Sequence, residues 1–313
     1  MIVTVTLNPA IDVSYRVSDF KIDQGHRVEN GNKTAGGKGL NVSRVLKSLS
    51  SEPLCTGFLG GESGAWVQAQ LNQQGLQHSF VSIKEETRTC LAVIDEEKGT
   101  QTELMEKGPV VTEEEIEKFR STMTHILREA KIIVASGSLP MGVPSYFYRE
   151  IGELARAENI PFLLDTSGKS LDFGIEGKPF LIKPNQSELC HYMGESELSF
   201  ESMMEAAKTI CSKGVQYVLI SLGAGGAVLV GKEVILEAKI PAITAVNPVG
   251  SGDSMVAGMA YALQQQYDLD ECLRWACACG MANAMEATTG TVQVKNVKQL
   301  LPKIKICALQ EKK

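Results

Sequence analysis

No run of the sequence reaches the ~18 consecutive apolar residues that a membrane-spanning helix requires, so no membrane role is expected. Basic residues are in deficit. The 31 Lys and Arg face 37 Asp and Glu, for a formal charge of −6, whereas a nucleic-acid scaffold is normally basic. A locally basic pocket for a phosphorylated small molecule is still allowed. The chain opens on Ile2-Val-Thr-Val-Thr-Leu7 with no basic segment before it, which predicts a first strand and not a secretory leader. The eight cysteines contain no C-x-x-C pair. Cys277 and Cys279, one residue apart on an expected helix, point to different faces. All eight read as reduced thiols of a cytoplasmic protein, mostly filling the core. The four histidines, His26, His78, His125 and His191, show no metal-ligand spacing, which argues against structural zinc.

Two familiar phosphate-binding loops are also missing. Gly36-Gly-Lys-Gly39 fails the P-loop pattern G-x-x-x-x-G-K-[ST], because Asn32 stands at the first glycine and Gly39 follows the lysine. No G-x-G-x-x-G occurs: Gly250 and Gly252 are followed by Met255 where the third glycine belongs. A dinucleotide cofactor is therefore not expected.

What is present centres on the stretch from Asn247 to Leu263. Gly250 and Gly252 admit backbone dihedrals that a Cβ forbids. Met255, Met259 and Leu263 then recur at four-residue spacing, one apolar helix face. The first N–H groups of a helix lack intrahelical partners and, with the macrodipole, form an anion site. Asp253 lies in that first turn. Capping is the ordinary reading of an acidic residue there. A carboxylate set where a phosphate binds gains a purpose if it handles a proton.

Along the rest of the chain, strand and helix patterns alternate. Strands are expected at 1–7, 53–58, 132–135, 161–164, 179–182 and 217–220, with a hairpin of 228–230 and 234–236. Helices are expected up to 49, over 64–74, 112–128, 146–157 and 201–213, up to 265, and over 270–287. This spacing predicts an α/β fold: a mostly parallel central sheet with helices on both faces. Polar, alternating segments near 13–34 and 87–106 predict a small separate sheet. No repeat, low-complexity tract or linker divides residues 1–313, so one domain is expected. Ligands bind at strand ends in such sheets, and Asp12 is expected just past the end of the first strand, where a turn residue is its ordinary reading. The glycines around Lys38 let a ligand approach the backbone, with Lys38 and Asn41 as polar contacts.

Several segments together resemble the ribokinase/PfkB family of sugar kinases. They are Asn8-Pro-Ala-Ile-Asp12, Thr34-Ala-Gly-Gly-Lys-Gly-Leu-Asn41, Glu86-Thr-Arg88, Gly137-Ser-Leu-Pro140, Lys183-Pro-Asn-Gln-Ser-Glu188 and Asn247-Pro-Val-Gly-Ser-Gly-Asp253. The family's second signature commonly runs Asp-Thr-x-Gly-Ala-Gly-Asp. Here Asn247 and Pro248 replace its first two residues and Ser251 its alanine. The resemblance implies a ribokinase-like fold whose small sheet is a lid over the sugar and a homodimer interface. It makes Asp253 the catalytic base and Gly250, Ser251 and Gly252 an anion hole.

Asp12, Gly37, Lys38, Asn41, Ser138 and Arg88 would bind the sugar. Arg88 would hold the acceptor's own phosphate, helped by Arg27. Lys183, Asn185, Ser221, Gly223, Gly225, Gly226 and Asn283 would line the nucleotide site, with Glu188 near the magnesium that accompanies ATP. The partners implied are ATP and a sugar phosphate, with no nucleic acid and no membrane. Within the family the segments look most like kinases of tagatose 6-phosphate, and next like 1-phosphofructokinases. A nucleoside or vitamin kinase of the same fold should lack Arg88. A non-catalytic sugar-phosphate sensor should lack Asp253.

Overall fold

The computed structural model describes residues 1–28 and 31–309. Its first strand shows how the sequence builds the fold. β1 (Ile2–Thr6) is buried along its whole length, a position that suits β-branched residues. Val3, Val5 and the following Leu7 enter one apolar core and Ile2 the other.

Then come β2 (Ala10–Val17), β3 (Asn32–Gly36), α1 (Lys38–Ser48), β4 (Leu54–Gly60), α2 (Gly61–Gln73), β5 (Gln77–Ile83), β6 (Arg88–Asp95) and β7 (Thr100–Met105). The middle of the chain runs α3 (Glu113–Leu127), β8 (Ile132–Ser136), α4 (Phe147–Ala157), β9 (Phe162–Asp165), α5 (Lys169–Glu176), β10 (Leu181–Ile182) and α6 (Gln186–Met193). The last third adds α7 (Phe200–Ser212), β11 (Tyr217–Ser221), β12 (Ala227–Gly231), β13 (Ile235–Lys239), α8 (Ser251–Gln264), α9 (Leu269–Ala284), α10 (Val294–Leu300) and β14 (Lys305–Ala308).

Ten strands form one sheet in the order β14-β13-β12-β11-β10-β9-β8-β1-β4-β5. Strands β5 through β11 in that order are parallel, and β12, β13 and β14 complete one side antiparallel. From β1 the chain proceeds to β4 and β5 on one side and later resumes at β8 on the other. The order therefore reverses between β1 and β8, which opens a crevice at their carboxyl ends. Side chains of α3 to α7 fill the core on one face of the sheet, and those of α1, α8, α9 and α10 fill it on the other. Four strands, β3-β2-β6-β7, form a separate sheet. The expected α/β layers and small second sheet are thus both present.

The details depart from the sequence reading in several places. Asp12 is not in a turn: it lies inside β2, paired with Thr34 on one side and Cys90 on the other. In the segment 13–34 strand structure covers only the two ends, and residues 29–30 fall outside the described part. Helix α2 starts at Gly61 and α9 ends at Ala284, each three residues from the expected boundary. β5, α5, α6, α10 and β14 have no counterpart in the sequence pattern. β5 begins Gln77-His-Ser79 and lies on a sheet edge, with Gln77, Ser79 and Ser82 exposed. Helices α5 and α6 have eight residues each, about two turns, too short for a 3.6-residue period to show.

Candidate active site

β9 ends on Asp165, the residue after β10 is Lys183, and α1 begins with Lys38. The topology brings the three together. Asp165 Oδ1 lies 3.4 Å from Lys38 Nζ, and its Oδ2 lies 3.5 Å from Lys183 Nζ. Burial alone would push the Asp165 pKa up. Lys183 and then Lys38 outweigh it and hold the carboxyl below its ordinary value. Asp165 in turn raises Lys38, against the effect of burial.

Asp253 faces this cluster from the first turn of α8 and is 5% exposed. The capping role does not apply, because no side chain caps α8. Gly250 instead takes the left-handed conformation, with φ of 81°. A Cβ there would also come within 2.6 Å of the Thr289 methyl, so glycine is required twice over. The Lys183 ammonium lies 3.1 Å from where a Cβ on Gly252 would stand, so it sits against the start of the helix. Together they bring positive charge to the free N–H groups of a helix start, an arrangement that favours an anion. Asn41 Nδ2 donates to Asp253 Oδ2 at 2.6 Å. Burial and then repulsion from Asp165 push the Asp253 pKa up to about 6, against Lys38, Asn41 and Lys183.

Toward the small sheet, Asp12 packs on Gly36, where any side chain would collide with its carboxyl group. Burial raises the Asp12 pKa to about 6, partly offset by Arg44 and Arg88. Arg88 opens β6 opposite Ala10. Its Nη1 donates to Glu106 O at 2.8 Å and its Nη2 to Asn8 O at 2.9 Å. It is therefore not a freely solvated charge. Gly37 precedes α1 with φ of 116°. Ser138 is exposed, and its Oγ accepts from Asn8 Nδ2 at 3.2 Å. Arg27 is exposed on the loop between β2 and β3, and no described contact brings it to the cluster.

On the opposite side, Asn185 caps α6. Its Oδ1 accepts from Glu188 N, and Glu188 Oε2 accepts from Asn185 N, both at 2.8 Å. Glu188 Oε1 is left 4.0 Å from Lys38 Nζ. Asn185, Ser187, Cys190, Ser221 and Gly223 line one shallow cleft. There a 3₁₀ turn, Gly223–Gly225, leads into Gly226, with φ of 92°. Asn283 differs from the expected adenine contact. It is fully buried, donates to Val249 O at 2.8 Å and Ser251 Oγ at 3.3 Å, and accepts from Gly290 N at 2.8 Å. Its amide braces the glycine-rich loop from behind.

A family model described as pfkB family carbohydrate kinase matches residues 3–295. The chain belongs to that family. A Staphylococcus aureus structure provisionally described as a phosphofructokinase is 32% identical, with 99% of each chain covered and a TM-score of 0.83. Phosphofructokinase-2 from Escherichia coli, in complex with potassium, is 28% identical, with 96% of this chain and 98% of that one covered and a TM-score of 0.91. That protein has also been crystallised with fructose-6-phosphate and in a tetrameric inhibited form. A Thermotoga maritima structure, described with reserve as a 1-phosphofructokinase, is 25% identical, with 99% and 100% covered and a TM-score of 0.89.

As a pfkB kinase, the protein is an ATP-dependent sugar kinase that takes its donor with magnesium. The donor set fits an ion that arrives with the nucleotide. Among the described residues no group of three His, Cys, Asp or Glu could hold a metal by itself. Glu188 keeps one carboxylate oxygen, Oε1, outside its cap. Magnesium is commonly held by one or two carboxylates with phosphate oxygens and water.

Sequence reasoning missed two residues of this pfkB site. Asp165 was visible as a carboxylate closing a parallel strand, which is the position where ligands bind. Arg44 carried no such signal: one more arginine on a helix reads as surface charge.

Proposed function

We propose that the protein phosphorylates a ketohexose phosphate, with tagatose 6-phosphate, giving tagatose 1,6-bisphosphate, as the first choice of acceptor. The observation that carries the reading is Arg88. Its guanidinium is held by two backbone carbonyls at the small-sheet side of the crevice and acts on the Asp12 carboxylate. A planar fork suits an acceptor's phosphate, while Asp12 accepts bonds from sugar hydroxyls. Asp253 takes the proton of the attacking hydroxyl. Lys38, Lys183 and the start of α8 offset the charge on the transferring phosphoryl group, so that catalysis is mostly positioning and charge stabilisation. The nucleotide lies along Asn185 and the Ser221–Gly226 turn, and Glu188 faces its magnesium.

Fructose 1-phosphate is the second reading, favoured by the Thermotoga maritima relative. Fructose 6-phosphate is the acceptor bound by the Escherichia coli one. A sensor without chemistry is disfavoured, since Asp253 is present and hydrogen-bonded. The small sheet also supports a homodimer. β7 is exposed along its length, with Leu104 61% and Met105 69% exposed. Eight free thiols suit a reducing cytoplasm.

The test is ATP consumption against tagatose 6-phosphate, fructose 1-phosphate, fructose 6-phosphate, ribose and adenosine. The highest kcat/KM is expected with tagatose 6-phosphate. Preference for ribose or adenosine would overturn the phosphorylated acceptor.

A further inference from the structure

Arg44 stands one turn beyond Asn41 on α1. Its Nη1 donates to Ala35 O at 2.6 Å, and its Nη2 donates to Asn41 Oδ1 and, at 3.4 Å, to Thr289 O. Its Nε is buried without a partner, and burial pulls its pKa down. An arginine enclosed with an orphaned N–H is costly. The charges that offset the cost are Asp12 and then Asp253.

The consequence is felt at Asn41. The terminal torsion of an amide is roughly two-fold, and its two ends are opposite in character. Arg44 can only donate, so it takes the amide oxygen. The NH₂ end must then face Asp253, where Nδ2 donates to Oδ2. A flipped amide would set donor against donor at Arg44 and acceptor against carboxylate at Asp253.

We propose that Arg44 is a positioning residue that locks the Asn41 amide, so that Asp253 Oδ2 is occupied and Oδ1 is the oxygen that takes the acceptor's proton. This rests on the reading of Asp253 as the base. Arg44 itself touches no reacting atom. It is also the leading cation acting on Asp12, so one buried guanidinium acts through its charge on both the sugar-side carboxylate and the base.

The charged groups around Asp253 are Asp165 from β9, Lys38 and Arg44 from α1, and Lys183 after β10. Of these, Arg44 alone fixes the amide. Losing the N–H donation disfavours the ionised carboxylate, so the Asp253 pKa should rise and the acid limb of kcat should move to higher pH. A purely structural role would lower the melting temperature and leave that limb in place.

The experiment compares wild type with Arg44→Met, Arg44→Lys, Asn41→Ala and the Arg44→Met/Asn41→Ala double variant. Two pH titrations are read: kcat with ATP and the best acceptor of the panel, and the Asn41 side-chain amide signal in ¹⁵N-labelled protein without substrates. Arg44→Met is expected to raise both midpoints by about half a pH unit or more. Arg44→Lys, the variant safest for folding, should move them the same way by less. Because Arg44 also acts on Asp253 through its charge, the double variant should move the acid limb further than Asn41→Ala alone but by clearly less than the sum of the two single shifts. Midpoints unmoved in both Arg44 variants, or additive shifts in the double variant, would overturn the proposal. If the amide signal moves while the kcat profile stays fixed, Arg44 positions Asn41 but Asp253 is not the base.

Discussion

Asn41 and Asp253 are 212 residues apart in the chain and 2.6 Å apart in space. One stands in the first turn of α1 and the other in the first turn of α8. Val42 and Val45 of α1 and Met255 and Met259 of α8 are buried in the same core. Two glycine-rich segments at opposite ends of the sequence thereby become one site, with Asp165 and its two lysines beneath.

The pH profile should show this site directly. Asp253 and Asp12 both have pKa values raised to about 6, by burial first in each case. Asp253 must be ionised to take a proton, and Asp12 must be ionised to accept from two hydroxyls without donating itself, so activity is full above that pH and lost as pH falls through it. Measured with saturating sugar, kcat should report Asp253, while the sugar KM should report Asp12. An acid limb of kcat near the ordinary aspartate value of about 3.9 would show that the Asp253 pKa is not raised in the working complex.

Asp253→Asn should lower kcat roughly 10²–10⁴-fold, the usual worth of a general base, with little change in substrate affinity. Its melting temperature at neutral pH should equal or exceed that of the wild type. A carboxyl whose folded pKa is raised makes the ionised native state less stable, and the amide removes the repulsion from Asp165. The advantage should vanish as pH falls below about 6, where the wild-type carboxyl takes up its proton. Near-normal turnover in the folded variant would remove Asp253 from the role.

Arg88→Ala should raise the KM of a sugar phosphate roughly ten- to hundredfold for each charge-assisted bond lost, and leave the KM for ATP nearly unchanged. The variant also loses the bonds to Glu106 O and Asn8 O, so some effect on any acceptor is expected. The discriminating measurement is the ratio between a sugar phosphate and the free sugar. Equal loss with both acceptors would reduce Arg88 to a brace between β6 and the end of β1.

Asp165→Ala should be the most destabilising single change in the site. It leaves Lys38 and Lys183 facing each other, and Lys183 is only 4% exposed. Breaking a buried ion pair by removing one partner costs about 3–5 kcal/mol, readable in urea unfolding. Because the folded pKa of Asp165 is depressed, its contribution is present above the ordinary aspartate pKa and lost as pH falls through the folded value. The difference between variant and wild type should therefore shrink in acid. Equal urea midpoints at neutral pH would show that the lysines do not need it.

Chelation should abolish turnover without lowering the melting temperature of the nucleotide-free protein, because the magnesium belongs to the donor complex. Manganese should restore activity. A fall of many degrees on chelation would reveal a structural metal.

The layer architecture is legible in the sequence itself. Apolar runs such as Ile2–Thr6 and their regular alternation with helical patterns are local properties, set by which residues can be buried on two faces. The glycine-rich segments were legible for a similar reason: a helix start at Gly250 demands a conformation that few other residues reach, wherever it sits in the fold. The turn expected at Asp12 was misjudged because β2 is a strand only by pairing with β3 and β6, partners distant in sequence. Tertiary structure also decided which of many charged residues matter. Burial and proximity turned Asp165 from the last residue of a strand into the counter-ion of Lys38 and Lys183. They turned Arg44 from one arginine among several into the group that orients Asn41. Charge acts through space and dielectric, so its consequences follow from the packed sheet and helices, not from residue order.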